Sequence, residues 1–449
     1  MVCFNGGTLR SESRYESAQL NFTIGSEYRP RMNRWFSVSL AAILVFLSLY
    51  FNISFFFPFD TFLIPGFFAF IIYGRSLYLL SLVVGFISFI IFHYLIVQMS
   101  SGQVLTGEEQ LRSTGLFIMS VISSLGSYFI FIKLGRRRAF YIFKNIAIII
   151  VCGLFLERIG LIRSVSDSFR SLAYPSELVY MNDARDIFSY GFVRPKLFAS
   201  EPSYVARIFG LVLASLAVLR PKTYPVKWLI FLLIVFVALL PSPSVGSGVI
   251  VALGYTAFND ADFTGVSRGT RNFAKLLLIG FGLVGVWSVA LRLGLWGGAI
   301  EASAFQRLMQ PAKLAMQSLA ERPLFGFGIG ADSSMQDILA FVQSGSDTPL
   351  DILKDHGREV FSGTVHAAVI WQLGLLGSVV LYAFLYKLFQ FLSGGKPMLG
   401  LVFFVMLGFS VGDIHTPNLW GYVTIFLAVT RLRYSDQWLA QAASAGAYK

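Results

Sequence analysis

In LFASEPSYVARIFG, residues 197–210, Glu201 and Arg207 stand at the mouth of an apolar run that continues through LVLASLAVL. A carboxylate and a guanidinium entering hydrocarbon are costly, and ionisable groups so placed commonly serve a ligand or a proton path. The arginine suits an anion, because its planar fork binds two oxygens at once and its charge does not titrate. The carboxylate suits either proton transfer or the orientation of that arginine. Arg194 and Lys196 precede the run, Asp413 and His415 lie in VGDIHTPN, and His366 opens GTVHAAVIWQLGLLG. Histidine is the side chain best placed to take a proton near neutral pH. Each residue also has a plainer use: Glu201 as complement to a helix dipole, Arg207 as a snorkelling cation, the histidines as helix-end hydrogen bonders. Their expected gathering at one membrane face favours chemistry.

Composition sets the solvent for that chemistry. The chain has 449 residues, 55% hydrophobic and 13% charged, and a mean hydropathy of +0.68. So little polar surface suits a bilayer rather than water. The net charge of +12 comes from Lys and Arg spread between apolar segments, with no long basic tract, so membrane orientation explains it better than nucleic acid. Cys3 and Cys152 cannot build a disulfide framework, and no CxxC or HExxH spacing offers metal ligands, so neither metal nor cofactor is expected.

Residues 1–34 are polar, and the following WFSVSLAAILVFLSLYFNISFFF is long enough to span a bilayer as a retained anchor. Further apolar segments lie near 59–73, 77–98, 114–134, 141–160, 203–219, 228–241, 247–258, 273–293, 364–386, 397–411 and 419–430. They lack the alternation of barrel strands, so the fold expected is an all-α integral membrane protein with about twelve transmembrane helices. With the amino terminus inside, Arg75, Arg136, Arg137, Arg138, Arg220, Lys222, Lys227, Arg268, Arg271, Lys387, Lys396, Arg431 and Arg433 all fall on the cytoplasmic side. The expected organisation is a cytoplasmic tail at 1–34, a membrane domain at 35–431 and a second cytoplasmic tail at 432–449. Two long outward loops, at 161–202 and 294–363, carry short amphipathic helices and are where function is expected.

In the second loop, SAFQRLMQPAKLAMQSLAERP repeats Phe305, Leu308, Met309, Ala312, Met316 and Leu319 at helical spacing, which predicts a helix lying on the membrane or the bundle. Arg307 and Lys313 fall on another face. After Arg322 and Pro323 comes LFGFGIGAD, whose Gly326, Gly328 and Gly330 permit either a loop of converging N–H groups around an anion or a plain helix-ending turn. A further short helix is expected from Pro349 to Gly357, with Asp347 and Thr348 as cap candidates, and His356 lies within it.

Arg307 on an outer helix, then ERPLFGFGIG, then HAAVIWQLGLLG opening a membrane helix, resembles the carboxy-terminal half of the O-antigen polymerase and ligase family, the Wzy-like and WaaL-like bacterial membrane glycosyltransferases. SEPSY resembles a segment of the polymerases in that group. The resemblance covers about residues 190–430. Where the ligase pattern commonly has Asn after the histidine this chain has Ala367, and no clear pair of RX10G motifs is present. The resemblance implies transfer of a glycan from an undecaprenyl-diphosphate carrier to a sugar hydroxyl, at the outer face of the bacterial inner membrane. It implies Arg194, Arg207 and Arg307 as cations for the diphosphate and His366 as the base, with Glu201 as a second acid/base group or an arginine's partner. Arg322, Asp413 and His415 are candidate contacts for the acceptor or glycan. The partners implied are the lipid-linked glycan, membrane lipids, a chain-length regulator and a flippase.

Three rivals stand beside polymerisation. A ligase would hand the glycan to lipid A core. A lipid-linked sugar transporter would place ionisable groups mid-span, where only His93, near one end of its span, is found. A cytoplasm-facing transferase would use Asp260 and Asp262 of NDADF, in a loop too short for a nucleotide-binding domain of ordinary size.

Overall fold

The computed structural model describes residues 32–51, 54–56, 59–60, 63–74, 76–101, 107–175, 180, 183–221, 224–258, 268–293, 295, 304–331, 335–345 and 364–444. The expected helix at 349–357, His356, and the Asp260 and Asp262 pair lie outside them. Each apolar segment of the sequence carries a helix: α1 (Met32–Phe51), α2 (Leu63–Tyr73), α3 (Leu77–Ser101), α4 (Gly107–Leu134) and α5 (Arg136–Arg158) come first. Then follow α6 (Arg163–Ala173) and α7 (Asp183–Tyr190) in the first long loop, and α8 (Pro202–Leu219), α9 (Val226–Leu239), α10 (Gly246–Phe258) and α11 (Arg268–Arg292). A π-helical turn (Phe305–Met309) leads into α12 (Gln310–Glu321), with α13 (Gln336–Gln343), α14 (Val365–Leu392), α15 (Pro397–Gly408) and α16 (Pro417–Ser444) completing the chain. Among the described residues the one departure from helix pairing is a small antiparallel ladder, β1 (Ser54–Phe56) with β2 (Phe59–Asp60).

Among the described residues α3, α4, α5, α8 and α14 are the helices long and apolar enough to cross a membrane. The architecture is therefore helical and membrane-compatible, but a count of twelve crossings is not reached by helix length. α2 has 11 residues and so spans ~16 Å of a hydrocarbon core of ~30 Å. The last helix also runs on to Ser444, past the tail boundary expected at 432.

Two helices form the axis of the bundle. α8 is buried on every side from Val205 to Leu219, and α16 is buried throughout from Pro417 to Thr430. A helix apolar all round must be enclosed by other helices. α8 meets α10 where Gly210 and Gly248 abut, so closely that a Cβ on Gly248 would overlap the Gly210 carbonyl. At the periphery α3 turns Leu77, Val84, Phe92 and Met99 outward.

The expected apolar stripe of the second loop is divided. Phe305 is buried and Leu308, Met309 and Leu319 are half-buried, while Ala312 and Met316 are exposed. The face turned inward carries Phe305, Pro311, Leu314, Ala315 and Ser318, and there the Ser318 hydroxyl donates to the Trp371 carbonyl of α14 at 3.3 Å. An apolar outward face carries no penalty against hydrocarbon.

α14 is not one rod. Gly374 sits at φ 65° and ψ −174°, and beyond it the chain folds back. The Ser378 hydroxyl reaches the Val369 carbonyl at 3.2 Å and the Tyr382 hydroxyl reaches His366 Nδ1 at 2.8 Å. In a straight helix those pairs would stand ~13 and ~24 Å apart along the axis. The groups freed by the break are paired by the glycine loop: Phe327 N and Gly328 N donate to the Trp371 and Gln372 carbonyls (2.9 Å each), and Leu375 N and Leu376 N donate to the Pro323 and Leu324 carbonyls (2.8 and 3.1 Å). Backbone inside a bilayer must find partners within the protein, and this loop supplies them.

Candidate functional site

α8 starts where Pro202 presets the helical φ of its first turn and Glu201, at φ −139° and ψ 153°, is still extended. Glu201 does not cap the helix with its side chain. It accepts instead from the Ser203 hydroxyl at 2.6 Å. The Arg207 guanidinium, one turn deeper, donates through Nη2 to that same hydroxyl oxygen at 3.3 Å and through Nε to the Ser203 carbonyl at 3.3 Å. Its cation lies 4.2 Å from the Tyr204 ring centroid. Arg207 is buried, whereas Glu201, Ser203 and Tyr204 are half-buried. The opening of α8 is thus a short chain of polar contacts that ends on a buried arginine.

The segment leading into α8 is bent against its own preference. Leu197 and Phe198 hold positive φ angles of 42° and 65° without being glycines, a conformation that persists only when its surroundings over-determine it. They do so here. The Glu157 carboxylate, at the end of α5, accepts from the Lys196 and Leu197 N–H groups and from the Ser166 hydroxyl. Ser166 in turn accepts from Phe198 N at 3.0 Å, the Tyr50 hydroxyl donates to the Leu197 carbonyl at 2.7 Å, and the Tyr174 hydroxyl, which donates to the Phe51 carbonyl at 2.6 Å, lies 3.2 Å from the Phe198 carbonyl. Sequence reading missed Glu157. Its signal was an acid in the last turn of a helix, where the dipole disfavours it, closing an otherwise apolar run.

Arg194 and Lys196 are engaged by the first long loop. Arg194 Nε donates to Asp186 Oδ1 at 2.8 Å, its backbone N–H to Oδ2 at 3.1 Å, and Nη2 to the Tyr180 hydroxyl at 3.2 Å. Asp186 is fully buried. Burial works against the Arg194 charge, but the Tyr180 hydrogen bond and the Asp186 carboxylate outweigh it and hold its pKa above the ordinary value. Lys196 pairs with Asp183 at 2.9 Å. Arg170, almost wholly buried, ties Asp167 to the Tyr180 and Ser200 carbonyls. These pairs brace the segment that leads to Glu201.

The carboxy-terminal candidates form separate groups. His366 is held at both ring nitrogens, Nε2 by the Val405 carbonyl and Nδ1 by the Tyr382 hydroxyl, each at 2.8 Å. A carbonyl only accepts, so Nε2 carries the proton and Nδ1 accepts from Tyr382. His366 therefore contacts neither Glu201 nor Arg207. Asp413 is bound by the Gln372 amide at 3.1 and 3.2 Å and by His415 Nδ1 at 3.0 Å. Burial pushes the Asp413 carboxyl up, but His415 and the Gln372 hydrogen bond more than compensate and leave it below the ordinary value. Arg322 lies 4.7 Å from the Phe327 ring centroid, and Arg307 is exposed on the π-helical turn.

The glycine loop of LFGFGIGAD does not gather N–H groups for an anion. Those of Gly326, Phe327 and Gly328 are taken by the Arg322, Trp371 and Gln372 carbonyls, and the loop carbonyls of Phe325 and Phe327 receive His93 Nε2 (2.8 Å) and the Gln110 amide (3.1 Å). It is a structural plug for the break in α14.

What the arrangement offers chemically is a buried guanidinium joined through Ser203 to a carboxylate at the start of a buried helix. No family model matches the chain, and no curated protein matches it.

Proposed function

We propose that this protein polymerises undecaprenyl-diphosphate-linked oligosaccharide repeat units at the outer face of the bacterial inner membrane. The observation that carries the reading is the Glu201–Ser203–Arg207 chain of hydrogen bonds at the mouth of buried α8. A lipid diphosphate is an anion presented at the edge of hydrocarbon, and a guanidinium at that depth matches it in charge and geometry. A second support is that the two segments carrying the family resemblance, ERPLFGFGIG and HAAVIWQLGLLG, interlock through the backbone pairs across Gly374.

In this reading Arg207 binds the diphosphate, and Arg307 remains a candidate for the same role. The acceptor hydroxyl oxygen attacks the anomeric carbon, the bond from that carbon to the diphosphate oxygen breaks, and the diphosphate leaves with the electron pair. The hydroxyl proton passes to a base. Glu201 is favoured for that role over His366, because its Oε1 has no partner among the described residues, whereas both His366 nitrogens are engaged. Arg194 then acts through Asp186 as a brace, and Arg322, Asp413 and His415 remain glycan-contact candidates.

The test is reconstitution of the purified chain with an undecaprenyl-diphosphate-linked oligosaccharide. A ladder of carrier-linked products is expected without any other acceptor. Product only when lipid A core is added would make the protein a ligase, and lipid-linked sugar moved across the bilayer unchanged would make it a transporter.

A further inference from the structure

The first two turns of α16 carry buried polar groups that have no hydrogen-bond partner among the described residues. Asn418 is fully buried, and both its Oδ1 and its Nδ2 are among them. So is the hydroxyl of Tyr422, one turn on and equally buried. Leaving such groups unpaired in an apolar interior costs on the order of 1–3 kcal/mol each, so an unpaired pair on one helix face calls for a reason. Trp420, between them, is fully provided for: its indole N–H donates to the Ile414 carbonyl at 2.6 Å and its ring packs on Phe117 and Phe404.

The location supplies the reason. α16 packs along α8, and Tyr422 lies within electrostatic reach of the Arg207 guanidinium and the Tyr204 phenol. Arg207 is in the second turn of α8 and Tyr422 in the second turn of α16, so both axial helices bring polar side chains to the same neighbourhood from their amino ends. Glu201, Ser203 and Tyr204, at the start of α8, are half-buried.

We infer that Asn418 and Tyr422 are specificity-determining residues that hydrogen-bond hydroxyl groups of the carbohydrate carried next to the diphosphate, an assignment that rests on the function proposed above. The donor set selects the sugar over the phosphates. A diphosphate only accepts hydrogen bonds, and it would leave the Asn418 carbonyl oxygen facing another oxygen. A sugar hydroxyl both donates and accepts, so it satisfies the Asn418 carbonyl, the Asn418 amide and the phenol together. The phosphates are left to Arg207.

The experiment compares the parent with Tyr422→Phe and Asn418→Leu as purified full-length chains in detergent. The readouts are melting without ligand and titration with two probes, a polyprenyl diphosphate bearing the oligosaccharide and the same polyprenyl diphosphate bare. Removing an unsatisfied buried polar group relieves the fold, so both variants should melt at or above the parent temperature. They should bind the bare lipid as the parent does and the glycosylated lipid about tenfold more weakly. Undiminished binding of the glycosylated lipid overturns the inference. So does a lower melting temperature with unchanged affinity, which would mean that the two side chains hold an internal water. If the parent binds bare and glycosylated lipid equally, the lipid-diphosphate reading stands and the sugar assignment falls. If it binds neither, both fall.

Discussion

Gly326 and Gly374 lie back to back where the glycine loop enters the break in α14. A Cβ on Gly326 would meet the Gly374 nitrogen at 2.6 Å, and one on Gly374 would meet the Gly326 nitrogen at 2.5 Å. Both residues also hold positive φ, 63° at Gly326 and 65° at Gly374. Gly374→Ala should therefore be destabilising twice over, by the left-handed backbone and by collision with a loop that cannot retreat without losing its hydrogen bonds. A loss of more than about 3 kcal/mol is expected, seen as failure to recover monodisperse protein from detergent. Gly328→Ala, whose Cβ would meet the ends of two side chains, Gln110 Oε1 and Val97 Cγ1, each at 3.1 Å, and no backbone as close, should be milder despite its own positive φ. Equal yields for Gly374→Ala and the parent would show that the loop does not plug the helix.

Ser203 joins Glu201 to Arg207, and its removal should uncouple them. Ser203→Ala is expected to lower transfer roughly tenfold with little change in melting temperature, since one hydroxyl linking two charged groups is lost. Arg207→Lys keeps the charge but loses the fork, and should cost about a hundredfold or more in turnover with normal membrane insertion. Near-parental turnover by the lysine variant would reduce Arg207 to a structural cation.

The choice between Glu201 and His366 as base can be made with two isosteric changes. Glu201→Gln should abolish chain elongation, because an amide cannot take the acceptor proton. His366→Gln should stay within about threefold of the parent, since it can still donate to the Val405 carbonyl. His366→Ala should be destabilised by ~1–3 kcal/mol, as both Val405 and Tyr382 lose their partner. Active Glu201→Gln with inactive His366→Gln would return the role to His366.

Asp413 sets an acid limit on the turn that precedes α16. Its folded pKa is depressed below the usual 3.8, so its contribution to stability is present above that value and is lost as pH falls through the folded pKa. Asp413→Asn should melt below the parent at neutral pH, and the gap should close only when the pH drops below the ordinary aspartate value. A gap that is independent of pH down to that limit and beyond would mean that shape, not charge, matters there.

Orientation follows from the charge distribution and can be read by labelling. With Cys3 and Cys152 replaced, a cysteine at exposed Ser168 on α6 should react with an impermeant thiol reagent in intact cells, and one at exposed Arg137 only after permeabilisation. The reverse pattern would put the mouth of α8 in the cytoplasm and remove the outer-face mechanism.

Hydropathy by itself determined where the helices are, because an apolar run in lipid must pair its backbone internally and has no choice but helix. It also located the start of α8, since Pro202 and the charges around it act within one turn of their own backbone. The number of crossings does not follow in the same way. α2 and α15 are apolar but short, and α14 is long but folded back at Gly374, which depends on a loop some fifty residues earlier in the chain. The same distance hid the work of the other polar residues. Glu157 holds the backbone of Leu197 from 40 positions away, and His366 is claimed by Tyr382 and Val405. Tyr422 comes within electrostatic reach of Arg207 only because α8 and α16 pack together in the bundle. Local rules act over a turn or two of chain, whereas a site in a helical bundle is assembled from side chains on different helices, and only packing decides which of them meet.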